Sequence, residues 1–110
     1  MGKRVLLDEN LPQGLRLLLS EHDVTTTAYE GWAGMSNGDL LAAVERAGIE
    51  VLVTADQGLN YQQNLKGRKL AIVVLSTNLK SLVIANASAI SAMIEMAPPG
   101  MFMFFDMGSR

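Results

Sequence analysis

Asp8, Asp39 and Asp56 are the residues of this chain whose types and placement could do chemistry. Asp8 closes the apolar run Val5-Leu6-Leu7, and Asp56 follows Val51-Leu52-Val53 where the chain turns polar. Asp39 opens a helical pattern behind Ser36-Asn37-Gly38. Carboxylates gathered in one place repel one another unless a cation or a proton joins them. Oxygen-only ligand sets suit Mg2+ or Mn2+, and such sites leave several waters on the ion. One or two ions held in this way can activate water and steady the leaving oxygen in phosphodiester hydrolysis. Each acid also has a plain structural explanation. Asp is a common turn residue, and Ser36 to Asp39 fits a capping box with Asp in place of the usual Glu. The two explanations of Asp39 are compatible, because a carboxylate on a first helical turn can cap the helix and still face a cleft.

Whether the acids meet depends on the elements that carry them. Lys3–Leu7 reads as a buried strand closed by Asp8-Glu9-Asn10. Leu11–Ser20 has apolar residues at 11, 15, 18 and 19, which is helical spacing. Asn10 can cap that helix, and Pro12 is tolerated in its first turn. His22–Thr27 is β-branched and reads as a second strand. Residues 28–38 form a glycine-punctuated loop carrying Tyr29 and Trp32. Asp39–Ala47 is helical, with Leu40, Leu41, Val44 and Ala47 on one face and Gly48 as its stop. Ile49–Thr54 and Leu70–Leu75 are the third and fourth strands. Leu79–Ala97 reads as one long helix ended by Pro98-Pro99-Gly100, and Met101–Phe105 as a final edge strand.

Strands that alternate with helices, several of them apolar throughout, imply a parallel sheet covered on both faces. The expectation is a single three-layer α/β domain over residues 1–110, with a mainly parallel sheet of four to five strands. In open parallel sheets, ligands gather outside the carboxyl ends of the strands, near the point where strand order reverses. With the first and third strands central and parallel, Asp8, Glu9 and Asp56 meet at one edge of the sheet.

Composition narrows the classes. At 110 residues, 49% hydrophobic and 18% charged, the chain has the make-up of one globular domain. It has no cysteine, which removes disulfides, thiolate zinc sites and cysteine nucleophiles. The start MGKRVLLDEN meets an acid after three apolar residues, unlike a signal peptide. Residues 82–97, the most apolar stretch, contain Asn86 and Glu95 and fall short of a membrane span. A cytoplasmic protein with no membrane partner is expected. The net charge of −2 gives no bulk attraction to nucleic acid.

Several motifs in order carry a resemblance. LLDENLP, then HDV, a Gly-Trp loop into SNGDLLAAVERAG, VLVTADQGLNYQQNL and LAIVVLSTN resemble the PIN-like family of small bacterial proteins. Those are similar in turn to the PIN-domain toxin ribonucleases of virulence-associated toxin–antitoxin modules. The similarity runs from about residue 4 to residue 97. It implies a PIN-like sheet, an acidic Mg2+-dependent (or Mn2+-dependent) ribonuclease pocket, an RNA substrate and a cognate antitoxin protein. The family acids fall on Asp8, with Glu9 and Asn10 beside it, on Asp39 and on Asp56, so these three become the implied catalytic and metal-binding residues. The chain departs from the pattern in two places. Asn37 stands where many relatives carry an acid, and Gly58-Leu59-Asn60 where many carry an acid or an aromatic residue. Glu9, Asn10, Asn37 and Asn60 are therefore accessory candidates.

Other residues are read both ways. Tyr61-Gln62-Gln63-Asn64 could stack on and bond a single-stranded base, or form a solvated loop. Trp32 is either a lid over the site or a side chain packed against the sheet edge. His22, the sole histidine, begins the second strand at the end of the sheet away from the acids and reads as structural. Lys3, Arg4, Lys66, Arg68 and Lys69 precede the first and fourth strands, also at that far end. Part of the 82–97 stretch could serve as a homodimer face. Beside the ribonuclease stand two alternatives: an inactive PIN-like module that binds RNA or protein, and a receiver-like phosphoacceptor with Ser76 and Thr77 after the fourth strand.

Overall fold

Three short runs, Val5–Leu7, Val51–Thr54 and Ala71–Leu75, are buried at every position, so the strands that carry them must be covered on both faces. A computed structural model describes residues 2–57 and 68–108, with Asn37 described for its backbone alone. Five strands form one sheet: β1 (Arg4–Leu7), β2 (Asp23–Thr26), β3 (Val51–Thr54), β4 (Ala71–Leu75) and β5 (Phe102–Phe105). Their order across the sheet is β2-β1-β3-β4-β5, and every neighbouring pair is parallel.

Alternation sorts the core into two layers. Val5, Leu7, Val51, Val53, Val73 and Leu75 face one side, against α1 (Leu15–Leu18), α4 (Lys80–Ala85) and α5 (Ala87–Met96). Leu6, Leu52, Ile72 and Val74 face the other, against Leu40, Leu41 and Val44 of α3 (Asn37–Arg46). A one-turn helix, α2 (Thr27–Glu30), follows β2. This is the expected three-layer α/β arrangement. Burying a leucine such as Leu6 or Leu52 contributes about 1.5–3 kcal/mol. No helix among the described residues is long and apolar enough to cross a membrane.

The structure corrects three local expectations. Helix over Leu11–Ser20 shrinks to Leu15–Leu18. Pro12 and Gly14 occupy its first turns, and Leu15, Arg16 and Leu17 donate three residues back, to Pro12, Gln13 and Gly14, as in a tight turn. Asn10 is accordingly not its cap; Gly14 holds that position without a side-chain bond. The long helix over Leu79–Ala97 is two helices broken at Asn86, whose side-chain amide donates to the Leu82 carbonyl at 2.8 Å. Asparagine offers the backbone such local alternatives to helix. Finally, part of the loop at 28–38 is helical: the Thr26 hydroxyl accepts from Tyr29 N and so starts α2, which ends at Gly31 with φ 79°. Gly48 does stop α3, at φ 75°, where a side chain would be strained and its Cβ would meet the Arg4 guanidinium.

Candidate functional site

The carboxyl ends of β1 and β3 lie side by side at the middle of the sheet. This is the point from which the chain runs outward to β2 in one direction and to β4 in the other, the place where open parallel sheets hold ligands. Leu7 registers with Val53, so Asp8 stands opposite Thr54. Asp8 N donates to the Val53 carbonyl at 2.9 Å and carries the ladder one step past the strand.

The carboxylate is held from two directions. Thr54 Oγ1 donates to Asp8 Oδ2 at 2.7 Å, and Glu9 N donates to Asp8 Oδ1 at 2.8 Å. The same Thr54 hydroxyl accepts from Asp56 N at 3.0 Å. One hydroxyl thus ties the two acids together, its proton turned to Asp8 and its lone pair to the Asp56 backbone. Thr54 is fully buried, while Asp8 and Asp56 are half-buried. A buried hydroxyl with both functions used is fixed in orientation, so it fixes the acids in turn. Each carboxylate oxygen has two lone-pair sites, and one bond at each oxygen of Asp8 leaves capacity on the open side.

Around this pair the polar neighbours converge. Glu9 Oε1 accepts from Gly34 N at 3.1 Å, which ties the end of β1 to the loop entering α3. Asp8 and Thr54 continue the alternation of Leu6 and Leu52, and therefore point to the α3 face. The first turn of α3 lies at the same end. There the Ser36 hydroxyl accepts from Asp39 N at 3.3 Å, so the capping bond forms and Asp39 remains exposed. Among the described residues, no three histidine or acidic side chains converge at metal-ligand spacing. The structure brings Asp8, Glu9 and Asp56 to one edge, with Asp39 on the bordering turn rather than in contact.

Asn10 lies on the other side of Asp8. Its carbonyl accepts from Asn78 Nδ2 at 3.2 Å, and its Oδ1 is buried without a hydrogen-bond partner. Gln57, next to Asp56, donates to the Ser76 carbonyl at 2.6 Å and so links the end of β3 to that of β4. Ser76 Oγ accepts from Met107 N at 2.9 Å. Asn60 and the Tyr61–Asn64 cluster lie outside the described residues, as does Lys66.

Reading the sequence missed Thr54 and Gln57. The available signal for Thr54 was that it is the one hydroxyl in Val51–Thr54, two residues before an acid, the spacing at which threonine hydroxyls bond a backbone N–H. Trp32 packs partly buried against the α3-side core. His22 is buried at the opposite end of the sheet, where its Nδ1 accepts from Lys3 N at 3.0 Å and its Nε2 meets Ser91 Oγ at 3.1 Å. Lys3 and Arg4 share that end, with Lys3 Nζ on the Ala97 carbonyl at 2.7 Å.

No family model, curated protein or solved structure matches this chain.

Proposed function

We propose that this chain is a metal-dependent ribonuclease of PIN-like type. It hydrolyses RNA phosphodiester bonds with Mg2+ or Mn2+ in the cytoplasm, as the toxin half of a toxin–antitoxin pair held by a cognate antitoxin. The observation that carries the reading is the pair Asp8 and Asp56 joined through the buried Thr54 hydroxyl at the reversal point of the strand order. The motif resemblance supplies the reaction.

The donor set fits the ion. It is all oxygen, and Mg2+ is commonly held by one or two protein carboxylates, with waters and substrate phosphate completing the shell. Asp8 and Asp56 would hold it. When bound, the ion supplies charge stabilisation at the phosphate and an activated water. The chain's own part is positioning. Thr54 and Glu9 N orient the Asp8 carboxylate, and Glu9 Oε1 holds the Gly34 loop beside it. Asp39, on the α3 turn that this loop leads into, adds a third carboxylate toward the substrate side. Asn10 serves as a neutral neighbour.

Two other readings each have an observation in their favour. Lys3, Arg4 and Lys69 lie at the end of the sheet away from the acids, which favours an inactive module binding RNA or protein. The strand order 2-1-3-4-5 is shared with flavodoxin-like folds, and Ser76 follows β4 at the acidic edge, which favours a phosphoacceptor. Against the latter, the residue after β5 is Asp106, where a receiver carries lysine.

The test is cleavage of a mixed-sequence single-stranded RNA with Mg2+ or Mn2+. Cutting that requires the metal and is lost in both Asp8→Ala and Asp56→Ala is expected. No cutting by the wild type would overturn the ribonuclease and leave the binding module. A phosphoryl mass increment on Asp56 after treatment with a small phosphodonor would instead favour the phosphoacceptor.

A further inference from the structure

We propose that the β5 edge pairs with β5 of a second copy of this chain, antiparallel about a two-fold axis through Met103, to join two sheets into one. This surface is independent of the acidic site. Among the described residues nothing pairs with the outer side of β5. Unpaired strand edges are templates for another chain, and proteins guard them with charge, proline or a covering element. The two edges of this sheet differ in that respect. On β2, Asp23 is charged and meets Arg4, and the Thr25 hydroxyl is engaged with Glu30. On β5 the sequence is Phe-Met-Phe-Phe, with no charge and no proline.

Register defines the contact. Ile72 N donates to the Met101 carbonyl and Ser76 N to the Phe105 carbonyl. Met101, Met103 and Phe105 therefore turn their backbone groups inward to β4, while Phe102 and Phe104 turn theirs off the sheet. Pairing on those groups sets Phe102 against the partner's Phe104 and Phe104 against the partner's Phe102. Both phenylalanines lie on the α3 face, since they register with Ile72 and Val74, so aromatic meets aromatic on each side of the axis. On the opposite face Met103 meets the partner's Met103, and Met101 meets the partner's Phe105, a sulfur–aromatic contact. Phe104 is 50% exposed and Met101 45%, so both have area left to bury. The first charged residue, Asp106, falls opposite the partner's Gly100, and no like charges face each other. A surface whose own spacing satisfies itself in this way is what a two-fold interface requires.

Light scattering on the eluting protein at high micromolar concentration tests the dimer, and single cysteines in this cysteine-free chain test the register. The expected mass is about twice 11.9 kDa, falling to the monomer in Phe104→Lys while circular dichroism stays unchanged. Under mild oxidation Met103→Cys is expected to cross-link, because the non-hydrogen-bonded pair on the axis has a Cα separation of about 4.5 Å. Phe104→Cys is expected not to cross-link, because the two copies of residue 104 are offset along the strands beyond the roughly 7 Å limit. A wild-type monomer overturns the proposal. So does a dimer that survives Phe104→Lys, or one that cross-links through residue 104 and not residue 103.

Discussion

The two ends of the sheet are built from the same strands and do opposite things with charge. At the amino end, cations and anions satisfy one another or the backbone. Arg4 N donates to Glu50 Oε1, the Arg4 guanidinium bonds the Ala47 carbonyl, and Arg68 pairs with Glu45. Lys3 and His22 are bound to Ala97, Ser91 and each other's chain segment. At the carboxyl end, the Asp8 and Glu9 carboxylates are held by neutral donors, a threonine hydroxyl and backbone N–H groups, and Asp56 N donates to that same hydroxyl. The two described ion pairs, Arg4–Asp23 and Arg68–Glu45, both belong to the amino end. Neutral donors orient the Asp8 carboxylate without cancelling its charge, whereas Asp23 and Glu45 at the amino end face guanidinium groups.

Substitutions at each end can break this contrast. The largest effect is expected from Asp8→Asn and Asp56→Asn, which should lower RNA cleavage by roughly 100-fold or more, since residues that only support metal ligands are themselves worth 10–100-fold. Circular dichroism should show both variants folded. Thr54→Val comes next. It leaves the shape of the strand but strands Asp8 Oδ2 and Asp56 N, so stability should fall by about 1–3 kcal/mol and Mn2+ affinity by roughly 10–100-fold. Urea unfolding and calorimetry measure the two losses separately.

At the other end, His22→Ala should cost a similar 1–3 kcal/mol through the Lys3 N–H and Ser91 hydroxyl it leaves behind, with cation binding unchanged. Loss of cation binding in that variant would show that the two ends are not independent. The smallest effect concerns Glu21. Its exposed carboxyl is held below the ordinary 4.5, first by a hydrogen bond with Ser91, then by its own backbone and by the nearby His22. A depressed folded-state value means this contribution is present above pH 4.5 and is lost as pH falls through the folded value. Glu21→Gln should slightly lower stability at neutral pH and flatten the acid limb of a stability-against-pH curve, with the two curves converging in acid, measured by urea unfolding across pH.

Much of this contrast was legible in the sequence because it follows strand ends. Runs such as Val5–Leu7 and Val51–Val53 must be buried, so the acid that ends each one must sit at the rim, and parallel pairing puts both on the same rim. His22 and Lys3 were legible for the converse reason, since they precede strands. What could not be read depends on contacts outside that periodicity. Thr54 looks like any β-former, and its role exists only because Asp8 lies opposite it in a neighbouring strand. The helices behaved likewise. The spacing at 11, 15, 18 and 19 was genuine core spacing, yet Pro12 and Gly14 set the backbone, and Asn86 broke a helix that its apolar neighbours would have continued. Asp39 illustrates the limit: its place on α3 was legible, while its distance from Asp8 is set by the loop that Glu9 fastens.

The most direct test of the central claim is calorimetric titration of Mn2+ into the wild type, Asp8→Asn, Asp56→Asn and an amino-end control, Glu50→Gln. Binding by the wild type and the control, lost in both aspartate variants, is the expected result. Binding that persists in Asp8→Asn and Asp56→Asn, or no binding by the wild type, would contradict it and return both acids to the role of turn residues.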